Sequence, residues 1–342
     1  RGWISHANLP GWPSGATMKK LLNTLFVTTQ GSYLARKGET VLVRVKKETK
    51  IRLPIHTLSG IVCFGRVSAS PPLMELCGQR KIAISFLSER GKFFARVQGP
   101  VSGNVLLRRE HYRMADDLVR CSEIARAMVI AKVANERNVL QRALRDHSEI
   151  SGKEILTEAV QKLAYSLETL KNPAPLDSIR GIEGEAARTY FRAFDSLIVS
   201  QKEAFFFRER SRRPPLDPMN ALLSFLYTLL AHDVMAALES IGLDPAVGFL
   251  HRDRPGRPGL ALDLMEEFRP ILADRLALSL VNRMQISGKG FRKTETGAVL
   301  MDDATRKELL VAYQKRKQEE ISHPFLEEKF AIGLLPYVQA LL

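Results

Sequence analysis

Leu118-Val119-Arg120-Cys121-Ser122-Glu123-Ile124-Ala125-Arg126-Ala127-Met128-Val129-Ile130-Ala131-Lys132-Val133 decides the fold class. Leu118, Ile124, Met128, Ile130, Ala131, Val133 and, beyond the quoted stretch, Leu140 recur among charged residues with helical spacing. The same pattern runs from Val105 to Asp146, and on its N-terminal side it replaces a different one. Short β-branched and aromatic runs precede it: Leu25–Thr28, Tyr33–Ala35, Val41–Val45, Ile61–Phe64, Ile82–Phe86 and Phe93–Val97. Turn formers separate them, Arg36-Lys37-Gly38-Glu39 and Ser88-Glu89-Arg90-Gly91 at hairpin spacing, and Ser70 to Gly78, opened by Pro71-Pro72, predicts a short helix crossing between strands. This half predicts a small β-sandwich or meander with one helical connection. It carries no cluster of His, Asp and Glu, so its expected role is structural, in dimerisation.

On the C-terminal side the helical reading continues. Ser151 to Leu170 is amphipathic and is stopped by Asn172-Pro173-Ala174-Pro175, because proline cannot continue the hydrogen-bond ladder. A further helix opens near Asp177, with Ile179, Ile182, Ala186, Tyr190 and Phe191 on its buried side and Glu183 close to that side. Ala221 to Leu230 reads as a buried helix too, since Ser224, Tyr227 and Thr228 interrupt it and His232 and Asp233 follow. No run of about 18 uncharged apolar residues is evident, which leads to the expectation of a soluble chain. The predicted fold is therefore α+β. A small β-sandwich-like domain spans residues 18–103, and a larger all-α domain spans residues 104–342. Residues 1–17, with Trp3 and Trp12 and no periodicity, read as tag or linker before Met18, or as a joint to a preceding domain.

A chain of 342 residues exceeds what one core usually organises, in keeping with two domains. Its 51 Lys and Arg against 37 Asp and Glu leave a formal charge of +14, which favours a polyanion and makes nucleic acid the expected partner. Cys63, Cys77 and Cys121 are odd in number and lack CxxC spacing, which argues against a disulfide framework or a structural zinc site and fits a reducing cytoplasm.

Candidate chemistry gathers in three places: Ile182-Glu183-Gly184, Phe249-Leu250-His251, and Leu262-Asp263-Leu264-Met265-Glu266-Glu267-Phe268-Arg269-Pro270. A histidine and carboxylates together form an N/O donor set for a hard cation acting on a phosphodiester. Asp263 and Glu266 share a helix face within an apolar series, where acids are costly unless paired or metal-bound. Positions 263 and 267 share a face as well, so spacing does not choose between Glu266 and Glu267. Two basic segments are candidates for phosphate contact. One is Phe205-Phe206-Phe207-Arg208-Glu209-Arg210-Ser211-Arg212-Arg213, and the other, weaker, is Lys289-Gly290-Phe291-Arg292-Lys293. Lys315-Arg316-Lys317 reads as surface charge.

These segments, joined by Arg180–Phe191, Asp217-Pro218-Met219-Asn220-Ala221-Leu222-Leu223-Ser224 and Gly242–His251, closely resemble the CRISPR adaptation integrase family, metal-dependent endonucleases that insert new spacers. The resemblance runs from Met18 to the C-terminus and implies an N-terminal β-domain joined to an α-helical catalytic domain. It implies Glu183, His251 and Glu266 as ligands for Mg²⁺ or Mn²⁺, although many relatives carry aspartate at the last position. Asp263 would be a further catalytic acid beside them. Asn220 matches the family asparagine after the Asp-Pro step, with a helix-capping role as the plain alternative. The implied reaction is transesterification, in which a 3′-hydroxyl of double-stranded DNA attacks the phosphodiester at the end of a CRISPR repeat. The implied partners are a second copy of the chain, a small second adaptation protein bridging two dimers and, if residues 1–17 are a joint, a fused trimming nuclease. A noncatalytic DNA-binding scaffold of the same fold and a mobile-element integrase are the alternatives.

Overall fold

The computed structural model describes residues 23–99, 105–147, 150–322 and 326–342. The segment read as tag or joint, and the domain boundary expected at 103/104, lie outside them. Two compact units emerge. One gathers the N-terminal strands, His232–Leu243 and the residues from Gln314 onward, and the other comprises Val105–Ala231 with Asp244–Tyr313.

The first unit contains two four-stranded sheets. Strands β1 (Asn23–Val27), β5 (Leu58–Phe64), β7 (Ala83–Leu87) and β8 (Phe93–Val97) lie in that order in one sheet. In the other the order is β4 (Glu48–Pro54), β3 (Thr40–Val45), β2 (Tyr33–Lys37) and β6 (Ser68–Ala69). The hairpins expected at Arg36–Glu39 and Ser88–Gly91 join β2 to β3 and β7 to β8. Beyond them the topology is not a simple meander, because β1, β5 and β7 pair in parallel. Parallel pairs need crossovers, and α1 (Pro71–Gln79) lies in the one leading to β7. Ser70 caps this helix by accepting a hydrogen bond from the Leu73 amide, and the two prolines occupy its first turn, where no amide is needed. Side chains from both sheets and from α1, including Leu34, Val41, Ile61, Cys63, Leu73, Leu76 and Ile84, form one core. Strand β4 escaped the pattern because Glu-Thr-Lys-Ile-Arg-Leu-Pro is a charged, largely exposed edge.

The chain returns to this unit twice. Buried His232 meets Ser85 Oγ through Nδ1 at 2.8 Å, and Arg96 pairs with Glu239. Lys317 is not surface charge, since it is buried with its Nζ 2.9 Å from Asp233 Oδ2 and 3.3 Å from Thr24 Oγ1.

In the second unit the run Val105–Asp146 is two helices, α2 (Val105–Asp116) and α3 (Leu118–Asp146). Between them Asp117 turns its carboxylate back to the amides of Val119 and Arg120, at 2.9 and 3.1 Å, and so starts a new helix. Helix α3 packs against α4 (Lys153–Thr169), α5 (Leu176–Phe194) and α7 (Gly259–Phe268). Helix α6 (Pro218–Ile241) begins in this unit with Met219, Leu222, Leu223, Leu226, Leu229 and Leu230 buried. It extends well past the Ala221–Leu230 stretch and is long and apolar enough, by length and composition, to cross a membrane. After α7 comes a π-helical turn, Arg269–Asp274, and then α8 (Arg275–Asn282). Pro270 has no amide for the Glu266 carbonyl, so the α-ladder cannot continue unchanged there.

Candidate active site

Helix α3 presents a lysine and a glutamate four residues apart, Lys132 and Glu136, to the interior of the second unit, where both are buried. Lys132 Nζ reaches two acids on neighbouring helices. It donates to Glu183 on α5 and lies 2.8 Å from Glu266 Oε2 on α7. The other Glu266 oxygen pairs with Arg269, one turn further along. Burying any one of these charges alone would cost several kcal/mol or more, so the four hold one another in place. Burial works against ionising Glu266, but Arg269 and Lys132 outweigh it and hold the carboxyl down at about 2. Burial also opposes the Lys132 charge, and the Glu266, Glu136 and Glu183 carboxyls overcome it, keeping the ammonium above its usual range. Glu136 is pushed up by burial to about 8.

This arrangement separates the two acids that spacing left equivalent. Glu266 faces Lys132 and Arg269, whereas Glu267 is buried and pushed up by burial to about 8, with only its backbone carbonyl engaged, by Asn135 Nδ2 at 2.9 Å.

His251 follows α5 and α6 in sequence and sits in a loop laid directly on the first turns of α7. Asp263, wholly buried, organises that loop. Its Oδ2 accepts the amides of Phe249 and Leu250 at 2.6 and 2.9 Å, and its Oδ1 accepts the His251 amide at 2.9 Å and Nδ1–H at 2.5 Å. Gly248 and Gly259 make this contact possible, because a Cβ on Gly248 would lie 2.8 Å from Asp263 Oδ2 and one on Gly259 2.7 Å from the Ala246 carbonyl. Arg180 on α5 donates to the Leu250 carbonyl at 2.7 Å, tying the loop to the helix that carries Glu183. With Nδ1 committed to Asp263, the His251 Nε2 lone pair is the free one. A carboxylate has about four lone-pair positions, and Asp263 uses them all. All four hydrogen bonds come from the loop that carries His251.

The side chains of Glu183 and His251 are 25 % and 20 % exposed, against 5 % for Glu266, so the cluster opens on the Glu183 and His251 side. Behind it lies a polar layer that sequence reading missed. The Arg269 guanidinium stacks 4.8 Å over Tyr227, whose hydroxyl donates to Asp274 Oδ1 at 2.7 Å, and Tyr190 donates to Oδ2 at 3.1 Å. Burial raises Asp274 to about 6 against the pull of both hydroxyls. A lysine and a glutamate four apart within the apolar stripe of α3 were a readable sign of Lys132 and Glu136. Asp274 and the tyrosines offered none.

The predicted phosphate contacts divide. Arg208, Arg212, Arg213, Lys289 and Arg292 are exposed. The two basic segments come together, since Phe291 packs edge-on against Phe205 at 5.5 Å and the Val299 amide donates to the Pro215 carbonyl at 2.9 Å. Arg210 instead turns inward over Tyr227, donating to Asn220 Oδ1 at 2.6 Å and to Ser224 Oγ at 3.1 Å. Asn220 is fully buried and also donates to the Glu209 carbonyl and Asp217 Oδ2, at 2.8 and 2.6 Å. These bonds clasp the arginine-rich loop to α6, and the helix is capped by Asp217, whose Oδ1 accepts the Asn220 amide at 2.7 Å.

Among the described residues no three His, Cys, Asp or Glu side chains converge closely enough to hold a metal as they stand, because Lys132 lies between the two glutamates. The donor chemistry nevertheless fits one. Two carboxylates and an imidazole nitrogen suit Mg²⁺ or Mn²⁺, and the buried Glu266 Oε2 faces a cation already, the Lys132 ammonium at 2.8 Å.

The chain belongs to the Cas1 family: the family model described as CRISPR associated protein Cas1 matches residues 25–315. A protein named CRISPR-associated endonuclease Cas1 1 from Chlorobaculum tepidum is 57% identical over 325 residues, 95% of each chain. CRISPR-associated endonuclease Cas1 2 from Rhodospirillum rubrum is 52% identical, over 94% of each chain. The same fold occurs in a Cas1 protein from Thermotoga maritima, with a TM-score of 0.77 at 24% identity over 93% of this chain and 94% of that one. A casposase bound to integration product gives a TM-score of 0.77 at 22% identity, over 93% and 88%.

Proposed function

We propose that this chain is a divalent-metal-dependent DNA endonuclease and integrase that joins the 3′-hydroxyl of a new spacer to the phosphodiester at the end of a CRISPR repeat. The observation that carries this reading is the pairing of Glu183 and Glu266 through one buried cation, beside a histidine whose Nε2 is left free, in a chain of the Cas1 family.

Glu183, His251 and Glu266 would hold the ion, Mg²⁺ or Mn²⁺. Bound there, it would supply Lewis acidity to the scissile phosphodiester and a template for the attacking hydroxyl. The chain's own residues do the positioning. Asp263 fixes the His251 tautomer and ring through Nδ1, and Arg269 fixes the rotamer of Glu266. The Tyr190, Tyr227 and Asp274 layer braces Arg269 in turn. DNA reaches the cluster from the more exposed Glu183 and His251 side. Arg208, Arg212, Arg213, Lys289 and Arg292, lying on two segments packed together, hold its phosphates.

Partners follow from related names. A solved assembly titled as a Cas6-RT-Cas1–Cas2 complex contains a chain of which this fold covers 35%, with a TM-score of 0.78. A relative from Rhodospirillum rubrum named as a Cas4 exonuclease and Cas1 endonuclease fusion is 36% identical to this chain, which matches 54% of its length. These names support a small second adaptation protein and a fused or associated trimming nuclease as partners, and the reading adds a homodimer acting in a prokaryotic cytoplasm.

The test is strand transfer of a labelled duplex into a repeat-bearing plasmid with Mn²⁺ or Mg²⁺ and the small partner, comparing wild type with His251→Ala. Joined product from wild type alone supports the reading. Binding to DNA with no joining from either, unaffected by chelator, would instead make the chain a scaffold.

A further inference from the structure

Lys132 is an unusual neighbour for a metal site. Its side chain is 6 % exposed, and its ammonium is held by two of the three residues assigned to the ion, Glu183 and Glu266. Arg269 takes the remaining Glu266 oxygen. Glu183, Glu266 and Asp263 bring three negative charges, and Lys132 and Arg269 offset two of them, so the cluster is almost neutral without any ion. A divalent cation entering it displaces an ammonium from its carboxylates or sits beside it, and like charges at that range in a poorly solvated site repel strongly.

We propose that Lys132 is the resident counter-cation of this site, holding Glu183 and Glu266 together while no ion is bound and keeping divalent affinity low until a phosphodiester arrives. This rests on the metal-dependent reading above. The anionic phosphate supplies the negative charge that Lys132 offsets, so metal and DNA each raise the other's affinity, and the coupling is reciprocal.

The test is Mn²⁺ titration of the full chain, followed by the loss of the free-ion EPR signal, with and without a duplex ending in 3′-dideoxynucleotides. Wild type, Lys132→Met, Lys132→Arg and Glu183→Ala are compared. Removing the ammonium should tighten Mn²⁺ binding without DNA by about tenfold or more, and the duplex should then improve affinity by a smaller factor than in wild type. Lys132→Arg should stay near wild type. Lys132→Met takes a shared partner from partly exposed Glu183 and from buried Glu266, which keeps only Arg269, so its melting temperature should be low and should rise more with Mn²⁺ than that of wild type. Should this variant not fold, Lys132→Gln is titrated in the same way and the same tightening is required. Unchanged or weaker Mn²⁺ binding in the neutral variants, with wild-type binding abolished by Glu183→Ala, would overturn the counter-cation role and leave the metal reading intact. Absence of any Glu183-dependent Mn²⁺ binding, with DNA or without it, would overturn both.

Discussion

Two histidines, one in each unit, show how differently the two halves of this molecule treat polar groups. In the β-rich unit His232 is buried against Ser85, and burial pushes it down to about 4, so it stays neutral and acts as a core residue. Next to it in sequence, Asp233 pairs with buried Lys317 at 2.9 Å. Cys63 and Cys77 are buried and pushed up to about 12, and they pack among aliphatic side chains. In the helical unit His251 is held by a buried carboxylate, is partly exposed and keeps a nitrogen free, while lysine, arginine and glutamate crowd the interior behind it. Titratable groups alone do not mark a site. Both regions bury charges that compensate one another, Lys317 with Asp233 in the first and Lys132 with Glu183 and Glu266 in the second, but only the second set includes a glutamate and a histidine that are partly exposed.

The strongest way to break this comparison is to remove the open-side groups. His251→Ala and Glu183→Ala should each reduce strand transfer by more than ~100-fold, beyond what loss of an outer positioning group costs, whereas His232→Asn should leave the rate of the chemical step close to wild type. Single-turnover joining assays with saturating DNA measure this.

Asp263→Asn comes next. The amide can replace the carboxylate at some of its hydrogen bonds but places an NH₂ against a backbone amide, so the loop should loosen and transfer fall by ~10–100-fold. Metal affinity should fall with it, and an Asp263→Asn enzyme with wild-type metal binding and rate would refute the positioning role.

A smaller effect separates the arginines. Replacing Arg212 and Arg213 by Ala should weaken DNA binding and lower the slope of log K against log salt by ~1 for each phosphate no longer neutralised. Arg210→Ala should instead lower stability, since it strips Asn220 and Ser224 of a partner. Filter binding across a salt series and chemical denaturation distinguish the two.

The gentlest test is pH. His232 has a folded value of about 4, below its usual 6.5, so the stability it contributes is complete above 6.5 and is lost as pH falls through 4. Glu136 is raised from 4.5 to about 8, so its contribution is complete below 4.5 and is lost as pH rises through 8. His232→Asn should therefore gain on wild type in acid and Glu136→Gln should gain in alkali. Denaturation at pH 4.5, 6.5 and 8.5 reads both, and a variant showing the opposite trend would refute the assignment for that residue.

The hairpins at Arg36–Glu39 and Ser88–Gly91, helix α1 with its Ser70 cap and the stop after Thr169 were all readable, because each depends on residues within a few positions of one another. Strand β4 and the parallel pairing of β1, β5 and β7 were not, since an exposed edge carries no apolar alternation and parallel partners are far apart in sequence. The break at Asp117 was locally encoded but looked like one more polar residue within a long periodic run.

By itself the sequence determined the α+β class and the positive charge, and its resemblance to one family proposed the acids and histidine of the site, because composition, periodicity and short motifs are properties of neighbouring residues. Tertiary structure decided which of Glu266 and Glu267 faces a cation, that Asp263 spends every lone pair on the His251 loop, that Arg210 and Asn220 turn inward, and that Lys132 joins two carboxylates from helices 51 and 134 residues further along the chain. The physical reason is that the free energy of a buried charge depends on what surrounds it in space, and nothing in the local spacing of residues records that.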